Sequence, residues 1–368
     1  MREIVLIHIT GADRPGVTAA FTRALSEGDA DVLDIGQAVI HNYLTLGILV
    51  SVPGNTDSLF KELLFLGHEL ELTVSFSVVD EASYGNWVRL QGRGRFILTL
   101  LARRIRAEHL GRVAKLVSEF GLNIDNISRL SGRVPLEGAA EDTRACVEFS
   151  LRGDIDDPES FRRALLALSG ELDVDAALQA DDLYRRHRRL IAFDMDSTLL
   201  DIEVIDELAL RAGVRDEVLQ ITRRAMEGEL DFAASLQARV AMLAGLPESE
   251  LDYVVRTLPL MEGAERLFAT LRKLGYRTAI LSGGFQYFVD TLKTRLGVDY
   301  VFANRLEIEN GTLTGEVTPL IVDADRKALL LREIAEREGI AMQQVIAVGD
   351  WANDLRMLAA AGLGIAFR

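Results

Sequence analysis

The chain has 368 residues, too many for one compact core, so more than one domain is expected. Its 41 Lys and Arg against 56 Asp and Glu give a net charge of −15, which argues against nucleic acid or an anionic membrane as a principal partner. The single cysteine, Cys146, excludes an internal disulfide and fits a reducing cytoplasm, and the sequence shows neither a signal peptide nor a spanning segment.

The first half repeats one pattern. Residues 5–9 (VLIHI) predict a strand, Asp13-Arg14-Pro15-Gly16-Val17 a turn, residues 20–25 a helix and residues 32–39 a second strand. Residues 96–100 (FILTL), the glycine turn Leu110-Gly111, a helix over 113–120 and a strand over 122–127 follow in the same order. Apolar segments at 44–52 and 72–79, and at 144–151 plus a later stretch, complete two βαββαβ units. Each unit resembles an ACT domain, a small ferredoxin-like regulatory module that often binds amino acids between copies. The DRPGV turn carries the likeness in the first copy, and the Leu110-Gly111 step carries it in the second. The resemblance implies close backbone approach by an amino acid at Gly16 and Gly111, with Asp13 pairing with its ammonium. The plainer reading is two turn glycines and a capping aspartate. A homodimer is implied as well, because such modules commonly pair side by side.

The run Arg185-Arg186-His187-Arg188-Arg189 reads as a solvated linker. Directly after it, residues 190–193 (LIAF) predict a buried strand that ends in Asp194-Met195-Asp196-Ser197-Thr198. Two carboxylates at the carboxyl end of a parallel strand would share the crevice where an open α/β sheet binds its ligand. One can attack phosphorus and the other can move protons. Residues 201–260 then show helical periodicity and predict a small helical cap. Phe232, Leu236, Val240 and Leu243 form its apolar stripe, with Arg239 on the same side. Residues 278–281 (TAIL) run into Ser282-Gly283-Gly284, and a hairpin with Asn310-Gly311 at a type I′ turn reads as a structural flap. Lys327 opens a helical stretch through Leu330, Leu331 and Ile334, where a cation opposes the macrodipole. Residues 345–348 (VIAV) run into Gly349-Asp350, with Asn353 and Asp354 beyond. Three apolar strands therefore end in polar, glycine-bearing chemistry.

These pieces in this order resemble the haloacid dehalogenase superfamily, whose pattern is a DxDxT strand end, a Ser or Thr after a second strand, a Lys and a GDxxND loop. Glu203, Met226-Glu227-Gly228, Phe232, Arg239 and Ser282-Gly283-Gly284-Phe285 place the likeness in its phosphoserine phosphatase branch. The resemblance implies hydrolysis of O-phospho-L-serine to L-serine and phosphate, the last step of serine biosynthesis. Asp194 would be the nucleophile that forms an aspartyl-phosphate, and Asp196 the acid and then the base. Mg2+ would be held by Asp194, Asp350 and the Asp196 backbone carbonyl, with Asp354 supporting the loop. Ser282, Gly283, Lys327 and Asn353 would hold the phosphate. Glu203 and Arg239 would hold the substrate ammonium and carboxylate, with Met226 and Phe232 shielding the site. L-serine would bind the first half and lower activity.

The expected domains are two ACT-like units at 1–88 and 89–182 and a doubly wound, Rossmann-like phosphatase domain at 183–368 with its cap at about 201–260. Two features depart from the branch. Trp351 stands where glycine is usual, and the chain stops after the apolar strand at 363–367, where relatives continue. That end predicts a sheet edge in need of cover. Two other activities compete with the main reading: hydrolysis of another small phosphomonoester, and a catalytically weak amino-acid sensor.

Overall fold

The structure, a computed structural model, describes residues 2–54, 57–133, 144–350 and 352–367. The crowding expected from Trp351 lies outside the described residues. Contacts divide the chain into two units, one formed by Met1–Gly94 with Gly121–Asn123 and Arg152–Asp156, the other by the remainder.

The first unit contains β1 (Arg2–Ala12), α1 (Val17–Glu27), β2 (Asp31–Ile40), β3 (Tyr43–Pro53), α2 (Asp57–Glu69), β4 (Leu72–Val79) and α3 (Glu81–Leu90). Its antiparallel sheet has the order β2-β3-β1-β4, the ferredoxin-like arrangement expected. Leu44, Leu46, Ile48, Val50 and Val52 alternate along β3 and bury one face against Val17, Phe21 and Leu25 of α1. Gly16 begins α1 with φ 94, a left-handed conformation that a side chain would strain.

A second sheet repeats the order as β6-β7-β5-β8. It is built from β5 (Arg95–Ala102), α4 (Ala107–Glu119), β6 (Asn123–Arg129), β7 (Ala145–Arg152), α5 (Pro158–Leu172) and β8 (Asp175–Ala180). Gly111 corrects the expectation: it is an exposed residue inside α4, with open space where a Cβ would stand. The helix starts earlier, at a turn where Arg106 N donates to His109 Nδ1 at 3.3 Å. Its buried stripe of His109, Val113, Leu116 and Val117 tolerates one exposed glycine on the opposite side.

The basic run is also corrected. Arg185 is only 12% exposed, ion-pairs with Glu148 of β7 and lies 3.6 Å from Asp181. Gln344 Nε2 donates to His187 O at 2.9 Å, so the run is pinned where it enters the next strand.

The parallel sheet of the second unit has the order β11-β10-β9-β14-β15. Its strands are β9 (Leu190–Phe193), β10 (Arg277–Phe285), β11 (Tyr300–Asn304), β14 (Val345–Gly349) and, at one edge, β15 (Leu363–Ala366). Ile191 and Phe193 of β9 face one core with Phe268, Phe288 and Leu292, and Leu190 and Ala192 face another with Leu330, Leu331 and Ile334. Both faces are covered, which is why the strands read as unbroken apolar runs. The covering helices are α10 (Ala264–Lys273) and α11 (Gln286–Leu296) on one side, and α12 (Ala324–Arg337) and α13 (Leu355–Ala360) on the other.

The cap comprises α6 (Val204–Ala212), α7 (Arg215–Met226), α8 (Phe232–Ala241) and α9 (Glu248–Thr257), and the chain enters and leaves it at the antiparallel bridge Leu200 to Leu260. The hairpin of β12 (Leu306–Glu309) and β13 (Thr312–Val317) turns through Asn310 and Gly311 at φ 49 and 77, as a type I′ turn requires. It braces the cap: Gly245 N donates to Leu313 O at 2.8 Å and Leu313 N to Leu246 O at 2.9 Å.

Candidate active site

Register brings the three polar strand ends to one level. Phe193 of β9 is opposite Ile280 on one side and Val348 on the other, so Asp194, Ser282 and Asp350 emerge together at the carboxyl edge. Leu281 lies opposite Phe302 and Phe285 opposite Asn304, so Ser282, Gly283 and Gly284 bulge out of β10. The strand order reverses at β9, the place where such sheets form a crevice.

Asp194 is 4% exposed, and its Oδ1 lies 2.8 Å from Lys327 Nζ. The same ammonium lies 2.8 Å from Asp354 Oδ1, and both Lys327 and Asp354 are fully buried. Asp323 caps α12 by accepting from Arg326 N at 2.8 Å, which fixes the turn that carries Lys327. Asp354 Oδ2 accepts from Asp350 N at 3.2 Å, and Thr198 Oγ1 donates to Asp350 Oδ1 at 3.2 Å. Carboxylate oxygens of Asp194, Asp350 and Asp354 lie within 4.8 Å of one another. Asp196 accepts through Oδ1 from Val204 N at 3.0 Å, at the start of α6.

Burial raises the Asp194 carboxyl to about 6, with Asp354 adding to the rise and Lys327 opposing it. Burial also takes Asp350 to about 6. Asp196 stands well above the usual carboxylate range through burial, then Glu203 and Asp194. For Lys327, burial works downward, but Asp194 and Asp354 outweigh it and hold the ammonium above its usual value.

Tight backbone approach explains two glycines. A Cβ on Gly349 would stand 2.5 Å from the Asp354 carboxylate, and one on Gly284 would stand 2.5 Å from Asp196 Oδ2. Gly349→Ala is expected to displace Asp354, destabilise the protein by about 1–3 kcal/mol and lower turnover by about 100-fold. Urea unfolding beside a phosphate-release assay checks both, and wild-type values in both would mean that the loop gives way freely.

From the cap, Phe232 stands over the bulge: its Cζ would lie 2.8 Å from a Cβ on Gly283. Ser197, at φ 54, donates through Oγ to Glu203 Oε1 at 2.9 Å. Burial lifts the Glu203 carboxyl and lowers the Arg239 guanidinium, which is opposed by the nearby charges of Glu203, Asp206 and Asp196. Met226 is 59% exposed at the end of α7, so the shielding expected of it is not made here by a buried side chain. In the first unit Asp13 is exposed and its N donates to Asn42 O at 2.8 Å, beside the open space at Gly16.

Asn353 Oδ1 is buried with no partner among the described residues, and the adjoining Asp354 belongs to the cluster of carboxylates that Lys327 bridges. An oxygen-rich, acid-rich pocket with an unmatched polar atom suits a hard divalent cation and an anionic ligand. Sequence reasoning did not single out Asn304, although it ends an apolar strand as Asp194 and Asp350 nearly do. It is 2% exposed, donates through Nδ2 to Gly283 O at 2.8 Å and accepts at Oδ1 from Val322 N at 2.7 Å.

The haloacid dehalogenase-like hydrolase family model matches residues 188–362, and the ACT domain model matches residues 3–77. A phosphoserine phosphatase of Streptomyces coelicolor is 42% identical over 363 residues, 99% of this chain and 85% of that protein. Phosphoserine phosphatase SerB2 of Mycobacterium tuberculosis is 42% identical over 366 residues, 99% of this chain and 86% of its own. Among solved structures, a haloacid dehalogenase family hydrolase from Salmonella enterica serovar Typhi superposes with TM-score 0.62 at 33% identity, covering 74% of this chain and 89% of that one. An unliganded probable phosphoserine phosphatase from Vibrio cholerae gives 0.55 at 35% identity, covering 73% and 77%.

Proposed function

We propose that this chain, which belongs to the phosphoserine phosphatase family of the haloacid dehalogenase-like hydrolases, cleaves O-phospho-L-serine to L-serine and phosphate. The observation that carries the reading is the meeting of Asp194, Lys327, Asp350 and Asp354 at the carboxyl edge of β9 and β14, beneath a cap bearing the opposite charges of Glu203 and Arg239. A phosphomonoester of an amino acid offers the matching charges: phosphate below, ammonium and carboxylate above.

Asp194 attacks phosphorus, and the bond from phosphorus to the serine oxygen breaks. Asp196 gives that oxygen its proton. Burial, then Glu203 and Asp194, raise the proton affinity of Asp196, which favours the acid form that this step needs. Asp196 then takes a proton from the water that opens the aspartyl-phosphate, which releases phosphate and restores both carboxyls. Ser282 accepts from Gly284 N at 2.9 Å, so its own hydrogen is left to donate to a phosphate oxygen. Lys327 donates to Asp354 Oδ1 and is ion-paired with Asp194 at 2.8 Å, which leaves ammonium hydrogen for a phosphate oxygen. Asp194, Asp350 and the Asp196 carbonyl would hold Mg2+, supported by Asp354; when bound it neutralises charge on the transferring group. Arg239 would bind the substrate carboxylate, Glu203 the ammonium and Asn353 the phosphate.

Around this core, we assign L-serine as an inhibitor bound near Asp13 and Gly16 in the ACT domain, a homodimer paired through such domains, and a cytoplasmic location. No helix among the described residues is long and apolar enough to cross a membrane. The first test is Mg2+-dependent phosphate release from L-phosphoserine, phosphothreonine and a sugar phosphate, with and without L-serine. Preference for phosphoserine supports the reading, and equal rates on all three would remove it. Arg239→Ala is expected to raise KM for phosphoserine by about 100-fold while changing KM for a carboxylate-free ester by less than about threefold. Equal increases would return Arg239 to a packing role.

A further inference from the structure

We infer that Asn304 is a positioning residue for the reaction: it sets the Ser282-Gly283-Gly284 bulge at the distance from α12 that lets Ser282 and Lys327 hold one phosphate. The inference rests on the phosphatase reading for its ligand and on geometry for its residue. The register of β10 on β11 is interrupted between Leu281 and Phe285. Where the bulge leaves the regular ladder, something other than β11 main chain must hold its polar groups.

Asn304 takes that place. Its Nδ2 holds the carbonyl of Gly283, and Ser282 Oγ holds the N–H of Gly284, so both ends of a single peptide plane are fixed by buried side chains. With that plane fixed, the Ser282 hydroxyl accepts from Gly284 N and keeps its hydrogen for a ligand in the crevice. The other end of the same amide, Oδ1, accepts from Val322 N, which precedes the Asp323 cap of α12 by one residue. Asn304 therefore ties the phosphate-facing bulge to the segment that delivers Lys327. A residue that only filled space would need neither bond, and glycines at 283 and 284 leave the bulge no side-chain packing of its own. Leucine or valine here would leave a buried carbonyl and a buried N–H without partners.

Asn304→Asp separates positioning from folding. The carboxylate keeps the shape and still accepts from Val322 N, but it cannot donate to Gly283 O and sets an acceptor against it. Three readouts are taken on the full chain with Mg2+ present: inorganic phosphate affinity by calorimetry, kcat and KM for phosphoserine against a carboxylate-free ester, and the urea midpoint. Phosphate affinity is expected to fall by about tenfold and kcat by about tenfold or more, because a displaced cradle loses one bond to a charged group. The ratio of KM values for the two esters should stay at the wild-type value, since Arg239 and Glu203 are untouched. Asn304→Ala, which removes both bonds, should weaken phosphate further. Unchanged phosphate affinity in Asn304→Asp, or a loss of activity that follows only the urea midpoint, would overturn the inference. A wild-type protein that binds phosphate but releases none from phosphoserine would instead remove the substrate assignment and leave the role of Asn304 standing on the calorimetry.

Discussion

Asp194→Asn is expected to abolish phosphoserine hydrolysis, by about 10^4-fold or more, while the protein stays folded and binds substrate. The amide keeps the shape of the carboxyl and can still accept from the Lys327 ammonium, but it cannot form the aspartyl-phosphate. Burial already disfavours the ionised Asp194, so a neutral group there is no harder to bury. With the metal chelated, Asp194 and Asp350 bind a proton more tightly folded, at about 6, than unfolded, near 3.8. Stability should therefore rise as the pH falls through that window, and Asp194→Asn should flatten the rise. Single-turnover assays with radiolabelled phosphoserine, together with urea curves across that range, measure both effects. Retained turnover, or label still trapped on the variant protein, would sink Asp194 as the nucleophile.

The central sheet was legible because β9, β10 and β14 are buried on both faces, which leaves unbroken apolar runs in the sequence, and because each run ends in chemistry that a turn does not need. The cap stripe was legible for a related reason: Leu236, Val240 and Leu243 are buried at helical spacing, and Arg239 sits among them. What escaped is what has no local pattern. A glycine at 111 marks a turn or an exposed helix position equally well, and only the packing of Val113 and Leu116 decides for the helix. The basic run 185–189 has the composition of a solvated linker. Its first arginine is nevertheless held by Glu148, 37 residues earlier in the chain, and no window of sequence contains that pair. Asn304 escaped because its partners, Gly283 and Val322, become neighbours only when the bulge and the start of α12 meet.

Lys327 has the same long-range character, and its loss should be costly. Lys327→Met should destabilise the metal-free protein by about 3–5 kcal/mol, because two buried carboxylates then lose the charge between them. Methionine fills much of the volume, so the loss is electrostatic and not a cavity effect. Double-mutant cycles separate the terms. Asp354→Asn alone removes one acid and leaves Lys327 paired with Asp194. Combined with Lys327→Met it removes both members of a pair, so the double variant should be clearly more stable than the sum of the two single losses. Urea unfolding in chelator measures this. Strict additivity would mean that the ammonium does not act as the counterion of Asp354. Mg2+ gives the second arm: if Asp194 and Asp350 hold a divalent cation as proposed, it would supply positive charge to the same cluster and should restore more stability to Lys327→Met than it adds to wild type. Turnover should stay low even then if Lys327 holds the phosphate as proposed, because the metal would replace the charge of the lysine but not its hydrogen-bond donor.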